Sequence, residues 1–503
     1  MTGAGPGPPG TAHRRNADGA RAGLGSGRPV LYIESMSSFL ESMSSFRNAE
    51  VRPPAVASLF YPGDARALAE EVSSYLDQTE ETPLAPGFPK AVIVPHAGFI
   101  YSGPVAASAY DLLRPARGIV TRVVILGPCH RVPVHGLALP RAKAFDTPLG
   151  RIPLDEEAIA SIRGLPQVVE SAATHAEEHA LEVQLPFLQR VLGGFSLVPL
   201  VVGDAAPEKV ADALERIWGG TETLIVISSD LSHYHSYESA RRIDGATVRA
   251  ILGFDAGISH EQACGATPVA GMLIAAKRKG LGAQLLDCRN SGDTAGDKTR
   301  VVGYASFALA SEGPRYGAEH GRKLLQIARQ SISAALGARG EPGAAEESWL
   351  RESRASFVTL MLGDELRGCV GALEAQRPLA QDVAENARAA AFEDARFKPL
   401  TPDEFGRIDI EVSLLSTPKR LAFEHHAELI GRLRPGVDGI ILEQDEEGKR
   451  ATFLPQVWEG LPDPEQFIAQ LRHKAGIAQN TDIRRCRVKR YTVLKWREAE
   501  LPR

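Results

Sequence analysis

The chain has 503 residues, too many for one hydrophobic core, and about 150 residues per domain implies roughly two to four units. Its 44% hydrophobic and 24% charged residues are an ordinary globular composition, and a formal net charge of -5 excludes a global electrostatic drive toward nucleic acid or a membrane surface. No apolar run reaches the ~20 residues that span a bilayer or resembles a signal-peptide core, and five scattered cysteines do not read as a disulfide framework, so a reducing cytoplasm is the expected location.

Residues 1 to about 30 are rich in Gly, Pro, Ala and Arg and too poor in apolar surface to order themselves, and a disordered tail is expected over 1–50. Within it, Glu34 to Leu40 repeats at once as Glu41 to Arg47, and a start at Met36 would account for the composition upstream. From 51 to 310, strand-like runs alternate with helix-like segments, the pattern of βαβ units and a mostly parallel central sheet flanked by helices. Helices are expected at 65–76 and 178–192, the second accommodating Pro186 only near its start or at a kink, and strands at 195–202 and 301–309. Residues 311–320 read as a linker.

A smaller α+β domain is expected over 321–500. It opens with a helix over 322–336, followed by a Gly/Pro/Ala-rich loop. Two strands, 357–362 and 366–373, flank a tight turn at Gly363-Asp364. A helix at 379–392, a strand at 408–415, a helix at 464–474 and a basic final strand complete it.

Three strand-like runs in the first domain are each followed at once by a short loop carrying a histidine: Ala91 to Val94 before His96, Val123 to Leu126 before His130, and Leu224 to Ser228 before Asp230 and His233. Loops at the carboxyl ends of parallel strands share one rim, where ligands bind in open α/β sheets. Neutral imidazoles suit iron, copper or zinc, and a thiolate adds a soft donor. His96, His130 and Cys264, the last before a Gly and a Pro that form a turn, make a three-point metal face, with Asp230 and His233 as acid/base or supporting groups. A rival pattern, His175-Ala-Glu-Glu178-His179, fits the H-x-x-E-H signature of inverted zinc peptidases. In the alternative reading, His179 and Glu182 share one helical face and line the cleft or hold a ligand.

Six motifs occur in the order of the Memo family, the AmmeMemoRadiSam system protein B group. They are Phe60-Tyr-Pro-Gly63, Pro95-His96-Ala-Gly98 with Tyr101-Ser-Gly103, Leu126-Gly-Pro-Cys-His130, Glu178-His179-Ala-Leu-Glu182 with Leu185-Pro186, Ser228-Ser-Asp230 with His233, and Cys264-Gly265. The family resembles class III extradiol dioxygenases, and the resemblance implies metal ligands at His96, His130 and Cys264, with His233 as proton carrier and Asp230 orienting it. Where the family pattern has a second histidine after His130 and basic residues after Cys264-Gly265, this chain has Arg131 and Ala266-Thr267, so the implied ligands are intact and substrate contacts differ.

The second half resembles AmmeMemoRadiSam system protein A, an AMMECR-type domain. Leu366-Arg-Gly-Cys-Val-Gly371, Ala391 to Phe397 with Pro399 to Pro402, Ile410 to Ser413 and Phe453 to Gln456 carry the match. Arg367, Cys369 and Glu374 are its possible polar site, and a binding surface is favoured over catalysis.

The reading is therefore a bifunctional fusion. Its Memo-like half is a metal-dependent, iron(II) dioxygenase-like oxidoreductase acting on an unidentified small molecule, with zinc or copper as other metals. The fusion implies a separate radical SAM protein as partner, since no C-x3-C-x2-C cluster motif occurs here. A nonenzymatic metal-binding scaffold and a zinc hydrolase are the alternatives. Arg485, Arg487 and Lys489, on one face of a strand, are the only basis for RNA contact, and solubilising an exposed strand is the commoner role.

Overall fold

The computed structural model describes residues 50–79, 87–311, 316–337, 347–444 and 448–500. The expected N-terminal tail and its duplication lie outside the described residues, as does most of the loop after the first helix of the second half.

The apolar runs form a nine-stranded sheet. At its heart, Ala91–Val94, Thr223–Ser228, Arg122–Pro128 and Ser196–Val202 lie side by side in parallel, in that order. Their β-branched side chains are almost wholly buried because helices cover both faces, as all-parallel strands require. Both flanks are antiparallel: Val301–Ala310 pairs with Ala91–Val94, and Leu137–Leu139 pairs with Ser196–Val202. The helix Ala65–Asp77 buries Leu68, Val72 and Leu76, spaced four apart on one face, and Asp64 caps it by accepting from the Ala67 N–H at 2.8 Å.

Three short helices follow one another here, Ala172–Ala176, His179–Glu182 and Leu185–Leu192, and the last two stand where a single helix is expected over 178–192. Glu178 breaks the first from the second, its extended backbone serving as N-cap while its carboxylate accepts from the Ala180 N–H at 3.0 Å. Pro186, which lacks an N–H, falls in the first turn of the third, where none is needed.

The helix expected over 322–336 begins earlier, at Ala318 within the segment expected as a linker, and runs to Ala335. Beyond it, one antiparallel sheet runs in the order Glu365–Gly371, Ser356–Leu362, Ile408–Leu415, Val493–Arg497. A second runs Lys419–Arg420, Arg487–Tyr491, Gly439–Gln444, Lys449–Phe453. The hairpin turn at Gly363-Asp364 is as expected, with Gly363 at φ 64, a left-handed conformation glycine adopts without strain. Arg487 and Lys489 lie in an interior strand rather than an exposed edge, and both face the Glu443 carboxylate, 3.7 and 3.4 Å away.

The two halves meet through buried polar contacts. Lys419, 4% exposed, forms an ion pair with Asp111 and donates to Thr79 Oγ1 at 2.6 Å, while the Ser353 N–H donates to the Pro115 carbonyl at 3.0 Å. Among the described residues, no helix is long and apolar enough to cross a membrane.

Candidate metal centre

The parallel register places Val94 opposite Ser228 and Leu126 opposite Ile227, so the loops that follow these three adjacent strands open at one end of the sheet. His96 follows its strand by two residues, as do His130 and Asp230. His179 arrives from the side, on the short helix His179–Glu182. That helix lies against the strand at Gly127, where an added Cβ would stand 2.9 Å from Leu181 and 3.1 Å from Ala180. Gly265 does the same for the cysteine loop, since a Cβ there would stand 2.7 Å from that of Ser229.

One ring nitrogen each of His96, His130 and His179 lies within 4.8 Å of the others. The His130 and His179 rings stack with centroids 4.7 Å apart, and His96 meets both edge-on at 5.1 and 5.5 Å. Cys264 Sγ is 3.3 Å from His96 Nε2 and is packed beneath the loop, its amide donating to the Asp230 carbonyl.

Hydrogen bonds behind the cluster select its tautomers. Ser228 Oγ donates to the Ala180 carbonyl at 2.6 Å, which leaves the oxygen to accept from His96 Nδ1 at 2.9 Å and from Gln184 Nε2 at 2.9 Å. The His96 proton therefore sits on Nδ1 and the Nε2 lone pair faces the cluster. His130 Nδ1 donates to Glu178 Oε1 at 2.9 Å, and the His130 backbone N–H donates to the other oxygen at 2.6 Å. His130 Nε2 is likewise left as an acceptor. His179 Nδ1 is buried with no hydrogen bond; Glu178 Oε1, 3.4 Å away, lies outside bonding geometry.

Burial, with a further push from the His130 charge, lowers the His96 imidazole to about 3, and burial lowers His179 to about 4, so both are neutral at pH 7. Burial pushes the Glu178 carboxyl up, but its hydrogen bond to His130, that ring's charge and the Ala180 and His130 amides outweigh it and hold it at about 2. Burial, and then the Asp230 charge, pushes the Cys264 thiol up to about 12. Asp230 is raised by burial against the His96 N–H, which it accepts at 2.7 Å. His233 sits half-buried on the edge strand His233–His235, near enough for its charge to bear on Asp230 and His96.

Neutral imidazoles with inward lone pairs, a buried unbonded nitrogen and a nearby thiol fit a divalent transition metal. His96, His130 and His179 form the tight cluster, with Cys264 beside His96. Glu182 does not line it: its carboxylate accepts from Arg52, Tyr61 and the Ala55 and Val56 amides. His175 faces elsewhere too, its Nε2 donating to the Ala138 carbonyl at 2.8 Å. Glu178, Ser228 and Gln184 went unrecognised as supporting groups, although the position of Glu178 between two histidines was a signal. In the second domain, Arg367 pairs with Glu404 at 3.0 Å, Cys369 accepts from Thr359 at 3.3 Å, and Glu374 pairs with Arg450 at 2.9 Å; the three have different partners.

The family model described as Memo-like protein matches residues 52–308. The chain belongs to this family. A second model, AMMECR1, matches residues 325–496, so the protein is a Memo–AMMECR1 fusion. A MEMO1 family protein of Ignicoccus hospitalis is 37% identical over 284 residues, an alignment covering 51% of this chain and 97% of that protein. One from Thermoplasma volcanium is 34% identical over 274 residues, covering 52% and 99%. A solved structure, an uncharacterized protein from Pyrococcus horikoshii, aligns at 29% identity and a TM-score of 0.33, covering 37% of this chain and 93% of that one.

Glu178→Gln is expected to lower the affinity of the Memo domain for a divalent transition metal about 10- to 100-fold, because the carboxylate that orients and polarises His130 is gone. Competition with a chromophoric chelator measures this, and an unchanged affinity would show that Glu178 has no part in the centre.

Proposed function

We propose that the Memo domain holds a divalent transition metal, iron(II) in the first instance, and uses it for redox chemistry on a small molecule. The observation that carries this reading is the tautomer selection: Ser228 and Glu178 each take the Nδ1 proton of a histidine and leave Nε2 free toward a shared point. His96, His130 and His179 are the proposed holders, with Cys264 as a fourth donor beside His96. Bound iron supplies one-electron chemistry and open coordination positions for substrate or dioxygen.

The chain's own groups bind, orient and move protons. Half-buried His233 is the proposed proton carrier, and Asp230, tied down by the His96 amide, keeps a negative charge or a proton in reserve beside it. Phe60, 4.9 Å from the His179 ring, walls that side against water. The AMMECR1 domain is proposed as a binding module, and a separate radical SAM protein as the partner in a shared pathway.

A second reading, zinc-dependent hydrolysis, is favoured by one feature: three imidazoles alone satisfy the donor set of catalytic zinc sites that keep a position for water. Anaerobic purification of the full chain followed by elemental analysis separates the two. About one equivalent of iron, lost in His130→Ala and His179→Ala, is the expected result. Stoichiometric zinc that survives iron supplementation would transfer the site to hydrolysis, and no metal under any supplementation would overturn the metal-centre reading altogether. Full iron occupancy in Cys264→Ala would remove the thiol from the ligand set.

A further inference from the structure

Away from the histidine cluster, a cleft of about 520 Å³ opens where the Memo and AMMECR1 domains meet. Arg114, Arg117 and Arg190 line it from the first domain, and Arg354, Arg450 and Lys489 from the second. Two carboxylates, Asp77 and Glu374, face the same space.

Most of these cations already have partners. Arg114 contacts Asp111 at 2.8 Å and Asp77 at 3.1 Å, and Arg354 contacts Glu352 at 3.1 Å. Arg450 bridges Glu374 and Glu443, both at 2.9 Å, while Lys489 lies 3.4 Å from Glu443. Both carboxylates that face the cleft are thus engaged. Among the described residues, Arg117 and Arg190 reach no carboxylate. Arg117 donates to the Arg190 carbonyl, and Arg190 donates to Ser73 Oγ at 2.8 Å. Two guanidinium groups beside a third, in a concave wall, repel one another unless an anion sits between them. Partial desolvation against the cleft wall, followed by the charges of Arg190 and Arg114, weakens the hold of Arg117 on its proton.

We infer that this interdomain cleft binds a phosphate-bearing small molecule of about mononucleotide size. The volume falls inside the range of ~300–1,000 Å³ typical of small-ligand pockets. Guanidinium forks match phosphate oxygens in pairs. Leu373 and Pro418, half-buried on the second-domain wall, offer apolar surface to the uncharged part of the ligand. Since both domains contribute cations, occupancy clamps one domain against the other. The cleft is independent of the proposed metal chemistry.

The test titrates adenosine triphosphate and inorganic pyrophosphate into the full chain, in chelator to silence the histidine cluster, and reads heat of binding and melting temperature. Saturable one-to-one binding is expected, with a rise in melting temperature and weakening at high salt. Arg117→Gln and Arg190→Gln should each weaken it about tenfold or more, whereas Arg241→Gln, exposed on the helix Tyr237–Leu252 of the first domain, should leave it unchanged. Arg117 and Arg190 are exposed, so the variants should fold, and the melting shift of the parent chain is a readout that needs no variant. Absence of saturable binding, equal weakening by Arg241→Gln, or preference for an oligoribonucleotide over both probes would each overturn the assignment.

Discussion

Glu182→Ala is expected to destabilise the Memo domain by about 3–5 kcal/mol, the usual cost of stranding a buried charge. The Glu182 side chain is 0% exposed and accepts four hydrogen bonds: Arg52 Nη1 at 2.7 Å, the Ala55 and Val56 amides at 2.7 and 2.9 Å, and Tyr61 Oη at 2.6 Å. Its removal leaves the buried Arg52 guanidinium without a carboxylate and three further donors without an acceptor. Arg52 also donates to the carbonyls of His175 and Glu178 at 2.6 and 2.8 Å, so it pins the turn from which His179 departs. Loss of stability should therefore be accompanied by loss of metal affinity, although Glu182 touches no histidine of the cluster. Glu182→Gln, which keeps one acceptor oxygen, should recover part of both. Hydrogen exchange on peptides from 51–308 in rising urea reads the domain's stability directly. A loss below about 1 kcal/mol would mean that Arg52 finds another partner and that the network is dispensable.

The second large effect is acid lability. Burial lowers His96 to about 3, His175 to about 4 and His179 to about 4, against the ~6.5 of an unfolded histidine. A histidine whose folded pKa lies below its unfolded value binds fewer protons when folded, so a fall in pH favours unfolding. The contribution is fully intact above about pH 6.5 and is lost progressively down to about 4. For fully buried His175 the gap corresponds to about 3 kcal/mol, and the other two act in the same direction. In chelator, the urea midpoint of the Memo domain should fall steeply between pH 6.5 and 4, and His175→Gln should flatten that slope. A flat profile, or one unchanged by the substitution, would mean that His175 is hydrated or charged in the folded protein.

How much of this was legible in the chain depends on which force places each residue. His96, His130 and Asp230 could be read because a strand's end dictates where the next two residues go, and adjacent parallel strands put their ends together. The helices Ala65–Asp77 and Leu379–Phe392 and the hairpin around Gly363-Asp364 were legible for the same local reason: periodicity, caps and turn chemistry act over a few residues. The segment from His175 to Leu192 was not. Its spacing suits one helix over 178–192 with His175 left before it, yet the chain turns at Val183-Gln184, and Glu178 takes an extended conformation, caps the Ala180 amide and turns its carboxylate to His130, forty-eight residues away in sequence. The conformation of Glu178 separates His175, which turns to the Ala138 carbonyl, from His179, which joins the cluster. Likewise Glu182, expected near the cleft, is claimed by Arg52 from 130 residues earlier.

By itself, then, the sequence determined two domains, a parallel-centred sheet, the rim that carries the site and two of its three clustered histidines, since each follows from patterns a few residues long. Only the tertiary structure decided that His179 joins them, that Ser228 and Glu178 select their tautomers, and that two unpaired arginines face a cleft between the domains. These last depend on side chains far apart in the chain competing for the same buried partners, and that competition is settled only when the whole fold closes.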